Sequence, residues 1–183
     1  MPLARLVVLG ALDRLGANPV EFVTRSLGFW TLTLLCATLA VTPLRRLTGW
    51  SALAPLRRRL GLFTFFYAVL HLLSYVWFDQ WFDAAAIAAD VLERPFITAG
   101  FAAFLLLVPL AATSTDAMKR RLGRRWLDLH RAVYAVALLG VLHFWWHKAG
   151  KNDLLQPAIY AAVAALLLGW RAWRHWRGRA RPV

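Results

Sequence analysis

Four histidines lie within apolar stretches of this chain, where imidazoles are uncommon. His71 lies in one stretch, and His130, His143 and His147 share another that runs from Gly123 to His147. An ionisable side chain at membrane depth is unfavourable unless it has a partner, so it indicates a functional site. Two imidazoles from facing helices can hold one haem iron at both axial positions, an arrangement that suits electron transfer. These residue types in this setting therefore predict a cofactor site.

Each of these histidines also has a simpler interpretation, as a bundle residue hydrogen-bonded to a backbone carbonyl or a hydroxyl. For His71, His130 and His143, which lie on two long apolar segments with no carboxylate among the buried residues, we favour cofactor ligation. His147 lies at the edge of its segment and is interpreted as a membrane-interface residue. His175 lies in a basic tail, where solvent or lipid headgroups surround it.

The composition is that of a membrane protein. The 183 residues are 60% hydrophobic and only 17% charged, whereas soluble domains are about 45–50% apolar and about 25% charged. The net charge of +13 would suggest nucleic acid binding in a soluble protein, but here the basic residues form blocks between apolar runs, as in membrane proteins. We therefore expect no nucleic acid partner. The single cysteine, Cys36, excludes an internal disulfide, an iron–sulfur cluster and covalent attachment of a c-type haem.

Five apolar segments approach the roughly 17–25 residues that cross a bilayer core, the first and third at the short end. They are about Leu27 to Val41, Leu62 to Phe82, Phe96 to Ala112, Leu127 to Trp146 and Leu154 to Trp173. The predicted fold is an all-α integral membrane protein, a bundle of five transmembrane helices in one domain over residues 1–183. The segment Leu3 to Leu12 is too short to span and could be the remaining part of a sixth helix.

The distribution of charge predicts the orientation in the membrane. Three regions are rich in basic residues: Arg45 to Arg59, Lys119 to Arg125, and the tail from Arg171 to Arg181. The two remaining loops are far less basic and contain Asp79, Asp83, Asp90, Glu93, Arg94, Lys148, Lys151 and Asp153. Since an excess of Lys and Arg marks the cytoplasmic side, we expect a cytoplasmic C-terminus.

Helix geometry predicts how deep each histidine lies in the membrane. At about 1.5 Å per residue, His71 lies roughly 14 Å from the basic side, His130 lies near that side, and His143 lies about 20 Å further along its helix. On an ideal helix His130 and His143 are roughly 140° apart, so they face one cofactor only if the helix bends, for which Gly140 is the weak point. Depth alone leaves both pairings of His71 open.

Three segments carry a resemblance to a known family. They are RRRLGLFTFFYAVLHLLSY (Arg57 to Tyr75), ERPFITAGF (Glu93 to Phe101) and TSTDAMKRRLGRRWLDLHRAVY (Thr113 to Tyr134). Together they resemble the MsrQ family, formerly called YedZ, over nearly the whole chain from Gly16 onward. Members of that family normally begin with a further transmembrane helix, of which Leu3 to Leu12 is the only candidate here.

The resemblance implies a b-type cytochrome of the bacterial inner membrane, related to the ferric reductase transmembrane domains. Such a protein passes electrons from the quinol pool, or from a cytoplasmic flavin reductase, to MsrP. MsrP is a periplasmic molybdopterin-containing subunit that reduces methionine sulfoxide and so repairs oxidised proteins. One or two haems b and possible use of FMN are implied as well. The family's haem histidines correspond to His71, His130 and His143.

The residues and the resemblance together predict a haem near the outer face, held by His71 and His143. His130 is then either a ligand of a second, inner haem or part of the electron entry site. Four arginines near the inner surface are candidates for contacts with haem propionates, quinone or flavin phosphate: Arg58, Arg59, Arg124 and Arg125. A simpler interpretation is that their charge only sets the orientation of the protein in the membrane.

Two other classes of function remain open in the sequence. A stand-alone ferric reductase-like cytochrome would reduce an external acceptor directly, and a non-redox scaffold or transporter would use the histidines for packing or proton relay. The chain has no glycine-rich nucleotide-binding motif and no soluble domain for a nicotinamide, so its electrons come from another molecule. Sulfoxide chemistry is expected on the partner, because Cys36 lies inside an apolar run where a thiolate is disfavoured.

Overall fold

In a computed structural model, which describes residues 2–150 and 152–179, the chain is built from α-helices, and no strand occurs within those ranges. The helices are α1 (Pro2–Ala11), α2 (Pro19–Thr48), α3 (Ala54–Ser74), α4 (Ala84–Glu93), α5 (Pro95–Ala112), α6 (Asp116–Leu122), α7 (Arg124–His130), α8 (Val133–Ala149) and α9 (Leu155–Arg179). A 3₁₀ turn, Ser51–Leu53, precedes α3, and a π-helical turn, Tyr75–Asp79, follows it. Lys151 and Arg181 lie outside the described residues.

Five helical spans are long and apolar enough to cross a membrane, which confirms the predicted fold class. They are Pro19–Thr48, Ser51–Asp79, Pro95–Ala112, Arg124–Ala149 and Leu155–Arg177. The first is twice as long as the predicted segment, because polar residues interrupt the apolar run without interrupting the helix. Its ends are set by local signals: the Asn18 side chain accepts from the Glu21 N–H, and Gly49 ends the helix in the left-handed conformation.

The bundle has its core where α2, α3, α5 and α8 meet. Leu35 and Leu39 from α2, Leu107 from α5, and Val136 and Ala137 from α8 are all buried there. Helix α9 packs against α8 and α2. The short apolar helix α1 packs against the bundle through Leu6, which forms a second buried cluster with Leu27 and Tyr67. The observed packing leaves the long helices roughly side by side, with their ends at two opposite faces.

These two faces differ sharply in charge. The acidic end, defined by the start of α2, the end of α3, helix α4 and the α8–α9 loop, contains Asp13, Glu21, Asp79, Asp83, Asp90, Glu93 and Asp153. The basic end, defined by the α2–α3 connection, α6, α7 and the end of α9, contains the arginine and lysine blocks found in the sequence, with Asp116 and Asp128 as its carboxylates among the described residues.

The helix carrying two of the candidate ligands is broken, but not where we expected. The break lies at Arg131 and Ala132, whose N–H groups donate to Asp128 and Leu129, three residues back, and so tighten the turn between α7 and α8. Gly140 was the predicted weak point, yet α8 runs through it without interruption. A Cβ at Gly140 would lie 3.5 Å from Leu32, which is an ordinary van der Waals contact.

A proline in α2 is compensated by a side chain from α9. Pro43 lacks an N–H, so the carbonyl of Leu39, four residues earlier, has no partner within its own helix. The Arg171 guanidinium donates to that carbonyl and also lies over the ring of Tyr134, with 5.6 Å between the guanidinium carbon and the ring centroid. Arg171 therefore joins α9 to α2 and α8 near the basic end.

Candidate cofactor site

His71 and His143 lie next to each other although 72 positions of sequence separate them. His71 is near the end of α3 and His143 is in the second half of α8, and their ring centroids are 6.1 Å apart with the ring planes at 72°. Both are close to the acidic end, because their hydrogen-bond partners lie near the starts of two helices, Thr24 in the second turn of α2 and Phe96 in the first turn of α5.

Each ring is oriented by a backbone carbonyl of a neighbouring helix. The distance from Nδ1 to the carbonyl oxygen is 2.9 Å for His71 and Thr24, and 2.6 Å for His143 and Phe96. Since a carbonyl oxygen can only accept, Nδ1 carries the proton in both rings. The lone pair is then on Nε2, which is how a metal-binding histidine is commonly prepared by its second hydrogen bond.

Two glycines make room for these rings. A Cβ atom at Gly28 would lie 3.0 Å from Cε1 of His71, and one at Gly100 would lie 2.7 Å from Nδ1 of His143. A side chain at Gly100 would therefore overlap the ring, whereas one at Gly28 would crowd it. Helices α2 and α5 thus approach the histidine-bearing helices closely where the two imidazoles lie.

The pair fits a metal held by two imidazoles. Two bonds of about 2 Å each from ring nitrogens to one metal, with half a ring at either end, give a centroid separation of about 6 Å. The observed 6.1 Å agrees with that value. Beside His71, the Thr24 hydroxyl is buried without a hydrogen-bond partner, so a polar group of a bound molecule could satisfy it. The residues present therefore fit a haem that would be held by these two histidines.

His130 is not part of this pair. It lies at the end of α7, where Nδ1 donates to the Trp126 carbonyl at 3.1 Å and its ring stacks on the Trp126 ring at a centroid distance of 3.9 Å. Its Nε2 is buried without a partner. His130 and Trp126 line a cavity of about 240 Å³ at the basic end, together with Arg57, Arg58, Thr64, Ser114, Lys119 and others.

The four predicted arginines all lie at the basic end, away from the histidine pair. Arg58 lines the cavity and forms an ion pair with Asp116, with 2.9 Å between Nη1 and Oδ2. Arg59, Arg124 and Arg125 are exposed and are not among the residues that line the cavity. Of this set, the structure therefore brings Arg58 together with His130.

The two remaining histidines lie on opposite sides of the bundle. The His147 ring lies 5.6 Å from the ring of Phe96, centroid to centroid, and so lies next to the pair at the acidic end. His175 is exposed on α9 at the basic end. Neither stands opposite His71 as His143 does.

The histidine rings could be predicted from the sequence, but the groups that hold them could not. Thr24 and Phe96 act through their carbonyl groups, which every residue has, so no side-chain pattern could reveal them. Gly28 and Gly100 carried a usable signal, because each is an isolated glycine inside an apolar helix, where close approach of another group is a common reason for glycine.

Comparison with known proteins agrees with this fold. Residues 27–141 match the family described as "Ferric reductase like transmembrane component". The helical fold and this match define a transmembrane protein of the ferric reductase-like class. No solved structure matches the chain.

Curated relatives define the family more narrowly. A protein of Ralstonia nicotianae is 64% identical, over 97% of this chain and 82% of the relative, and one of Bordetella pertussis is 63% identical, over 99% and 89%. A more distant relative from Xanthomonas campestris pv. campestris is 52% identical, over 91% and 76%. All three are named "Protein-methionine-sulfoxide reductase heme-binding subunit MsrQ". The chain belongs to the MsrQ family, which confirms the resemblance seen in the sequence.

Proposed function

We propose that this protein is the haem-binding membrane subunit of a protein-methionine-sulfoxide reductase and that it carries electrons to a separate catalytic subunit. The observation that carries the proposal is the pair His71 and His143, with both Nδ1 atoms bound to backbone carbonyls and both Nε2 atoms left with a lone pair. The names of the MsrQ relatives support the choice of haem as the ligand.

The chain's own residues supply orientation and a dry environment. A haem held by His71 and His143 would supply transfer of one electron at a time. The carbonyls of Thr24 and Phe96 hold the two rings and raise the basicity of their free nitrogens. The apolar core below the pair, formed by α2, α5 and α8, excludes water from its inner side.

The charge asymmetry supports an orientation and a place for the partner. We propose a bacterial inner-membrane protein with its basic end and C-terminus in the cytoplasm, following the excess of arginine and lysine there. The acidic end then faces the periplasm. The histidine pair lies near that end, which suits delivery of electrons to a periplasmic catalytic subunit of the molybdopterin-containing MsrP type.

The cavity at the basic end is our candidate for electron entry. His130 offers a buried Nε2 acceptor, Trp126 offers an aromatic surface, and Arg57, Arg58 and Lys119 supply positive charge. A quinol headgroup, the FMN of a flavin reductase or a second haem ligated by His130 are the occupants we propose for it. Catalysis on methionine sulfoxide is assigned to the partner, since the lone Cys36 is buried within α2.

The test is the reduced-minus-oxidised absorption spectrum of the purified protein and of single histidine variants. We expect a low-spin b-type spectrum from which the contribution of the haem held by His71 and His143 is lost in His71→Ala and in His143→Ala, because each variant removes one of its two nitrogen ligands. His175→Ala is the matched control, since this exposed histidine lies far from the pair.

His130→Ala separates the two proposals for the basic end. If the cavity holds a second haem, the haem content falls from two per chain to one. If it admits an electron donor, the spectrum is unchanged but reduction by quinol or by a flavin reductase slows. A wild-type protein without haem after haem-replete expression would refute the electron-transfer function altogether.

A further inference from the structure

Asp90 is a largely buried carboxylate between two membrane spans, and it has no role in the proposed function. It lies on α4, and its side chain is only 14% exposed. Its Oδ2 atom accepts from the Tyr75 hydroxyl at 2.9 Å and from Nε2 of Gln80 at 2.6 Å. Its Oδ1 atom lies 3.1 Å from Nε of Arg94. One carboxylate therefore joins three segments: the turn that follows α3, helix α4, and the residue before α5.

The Tyr75 side of this cluster is bonded directly to His71. The backbone N–H of Tyr75 donates to the carbonyl of His71, four residues earlier. The Ser74 hydroxyl donates to the same carbonyl at 2.8 Å. Tyr75 also begins the π-helical turn, a rare conformation that is frequent at functional sites. Through the Tyr75 hydroxyl, Asp90 therefore holds the end of the helix that carries His71.

The Arg94 side of the cluster is bonded to the turn that orients His143. The backbone N–H of Arg94 donates to the Asp90 carbonyl at 3.0 Å, in addition to the pairing of the two side chains. The carbonyl of Arg94 accepts from the N–H of Thr98 at 3.1 Å and from its hydroxyl at 3.2 Å. Within the turn that these bonds close, the Phe96 carbonyl accepts from Nδ1 of His143. The acceptor that orients His143 therefore depends on the corner between α4 and α5, which Asp90 holds.

We propose that Asp90 is a positioning residue that sets the orientation of the His71 and His143 rings relative to each other. A continuous path of hydrogen bonds and peptide links joins the two rings, and it passes through these residues in order: His71, Tyr75, Asp90, Arg94, Phe96 and His143. The inference rests on the proposed function and adds a group that acts on the haem only through other residues.

A simpler interpretation is that the Asp90 cluster only stabilises the loop between two spans. The two interpretations differ in what happens to the haem under conditions where the protein stays folded. A loop clamp affects thermal unfolding alone, whereas a positioning residue also affects the angle between the ring planes of His71 and His143, which is 72°. The EPR signal of a ferric haem with two axial imidazoles depends on that angle and therefore reports it.

The experiment compares Asp90→Ala with the wild type, both as full-length protein in detergent. Haem binding to the haem-free protein is titrated, and the ferric EPR signal that disappears in His71→Ala and in His143→Ala is recorded. We expect this haem to bind Asp90→Ala about tenfold more weakly, the lower end of the usual effect of groups that support metal ligands indirectly. We expect its EPR signal to shift or broaden, because the angle between the two rings is no longer fixed.

Two further variants identify the contacts that matter. Asp90→Asn keeps an oxygen that can accept from Tyr75 and Gln80. It loses only the ion pair with Arg94, whose side chain is 58% exposed, so we expect it to restore most of the haem affinity and the wild-type EPR signal. Tyr75→Phe removes one donor and should reproduce part of the effect of Asp90→Ala. Combining Tyr75→Phe with Asp90→Ala should add little, since the hydroxyl acts through the carboxylate.

Asp116→Ala is the matched control, because it breaks another aspartate–arginine pair, with 2.9 Å between the bonded atoms, at the basic end. It should leave the affinity and the EPR signal of this haem unchanged. Wild-type affinity and EPR signal in Asp90→Ala, with only its thermal stability lowered, would overturn the proposal. Should Asp90→Ala fail to fold, the same result in Tyr75→Phe would overturn it. A wild type that binds no haem would instead overturn the proposed function.

Discussion

At the scale of single residues, Gly100 leaves no room for even one added carbon atom beside His143. We predict that Gly100→Ala lowers haem content and reduces the free energy of unfolding by about 1–3 kcal/mol, the usual range for overpacking. The reason is that the new Cβ would lie 2.7 Å from Nδ1 of His143, so the ring must move away from the Phe96 carbonyl. Haem per protein and the thermal unfolding of the purified variant measure both effects.

The matched control for this prediction is Gly169→Ala. Gly169 is also an isolated glycine in an apolar helix, but nothing lies within 4 Å of the Cβ it would gain. The control should keep its haem and gain up to about 1 kcal/mol from improved helix propensity. Equal haem content in Gly100→Ala and Gly169→Ala would contradict the assigned role of Gly100.

The sequence was informative about residues that act through their side chains. His71, His130 and His143 were found because imidazoles are uncommon in apolar runs, and the structure brings the first and third together. Which two would meet was open, since the angle between His130 and His143 depends on a helix break that no glycine or proline marks. The break at Arg131 and Ala132 comes from tightened hydrogen bonds, which residue types alone did not reveal.

At the scale of helices, the contact between Arg171 and α2 gives a testable account of a proline. We predict that Arg171→Met lowers the free energy of unfolding by about 1 kcal/mol, because the carbonyl of Leu39 loses its donor. In a Pro43→Ala background the loss should be smaller, since residue 43 regains an N–H for that carbonyl. Thermal unfolding of the wild type, Arg171→Met, Pro43→Ala and the double variant measures the coupling free energy between the two residues. Additive losses of stability would argue that Arg171 does not compensate for Pro43.

Helix existence was predictable from hydropathy, but helix ends were not. The five spans were found, whereas α2 extends well beyond Leu27 to Val41 at both ends. The second span ends at Asp79 rather than Phe82, because Trp81 and Phe82 adopt the left-handed conformation. Capping, π-turns and positive φ angles depend on a few local contacts and leave little trace in an apolar pattern.

At the scale of the whole molecule, the asymmetry of charge predicts which face is accessible from outside the cell. In a Cys36→Ala background, Glu93→Cys should react with an impermeant maleimide in intact spheroplasts, and Arg121→Cys should react only after permeabilisation. Both positions are exposed, one at the acidic end and one at the basic end, so they are matched apart from the side of the membrane. The reverse labelling pattern would invert the proposed orientation.

Some features of the whole molecule could be predicted from the sequence, and others required the structure. Charge blocks and segment lengths are additive along the chain, so the number of spans and the two faces could be predicted. The cavity beside His130 could not, because it forms only where α2, α3, α5 and α7 pack imperfectly at the basic end. Arg58 lines this cavity, whereas the next residue, Arg59, is exposed on the surface. The sequence alone does not distinguish these two neighbouring arginines.

The carbonyl groups that orient His71 and His143 have a consequence for how such a protein can change in evolution. Because every residue presents the same carbonyl, the two hydrogen bonds themselves tolerate amino-acid replacement at Thr24 and Phe96. They do not tolerate a shift in helix phase. A single residue inserted or deleted between either acceptor and the packed part of its helix would rotate the acceptor by about 100° away from its ring. The two hydrogen bonds are therefore more sensitive to a change in chain length after Thr24 or Phe96 than to a substitution at either position.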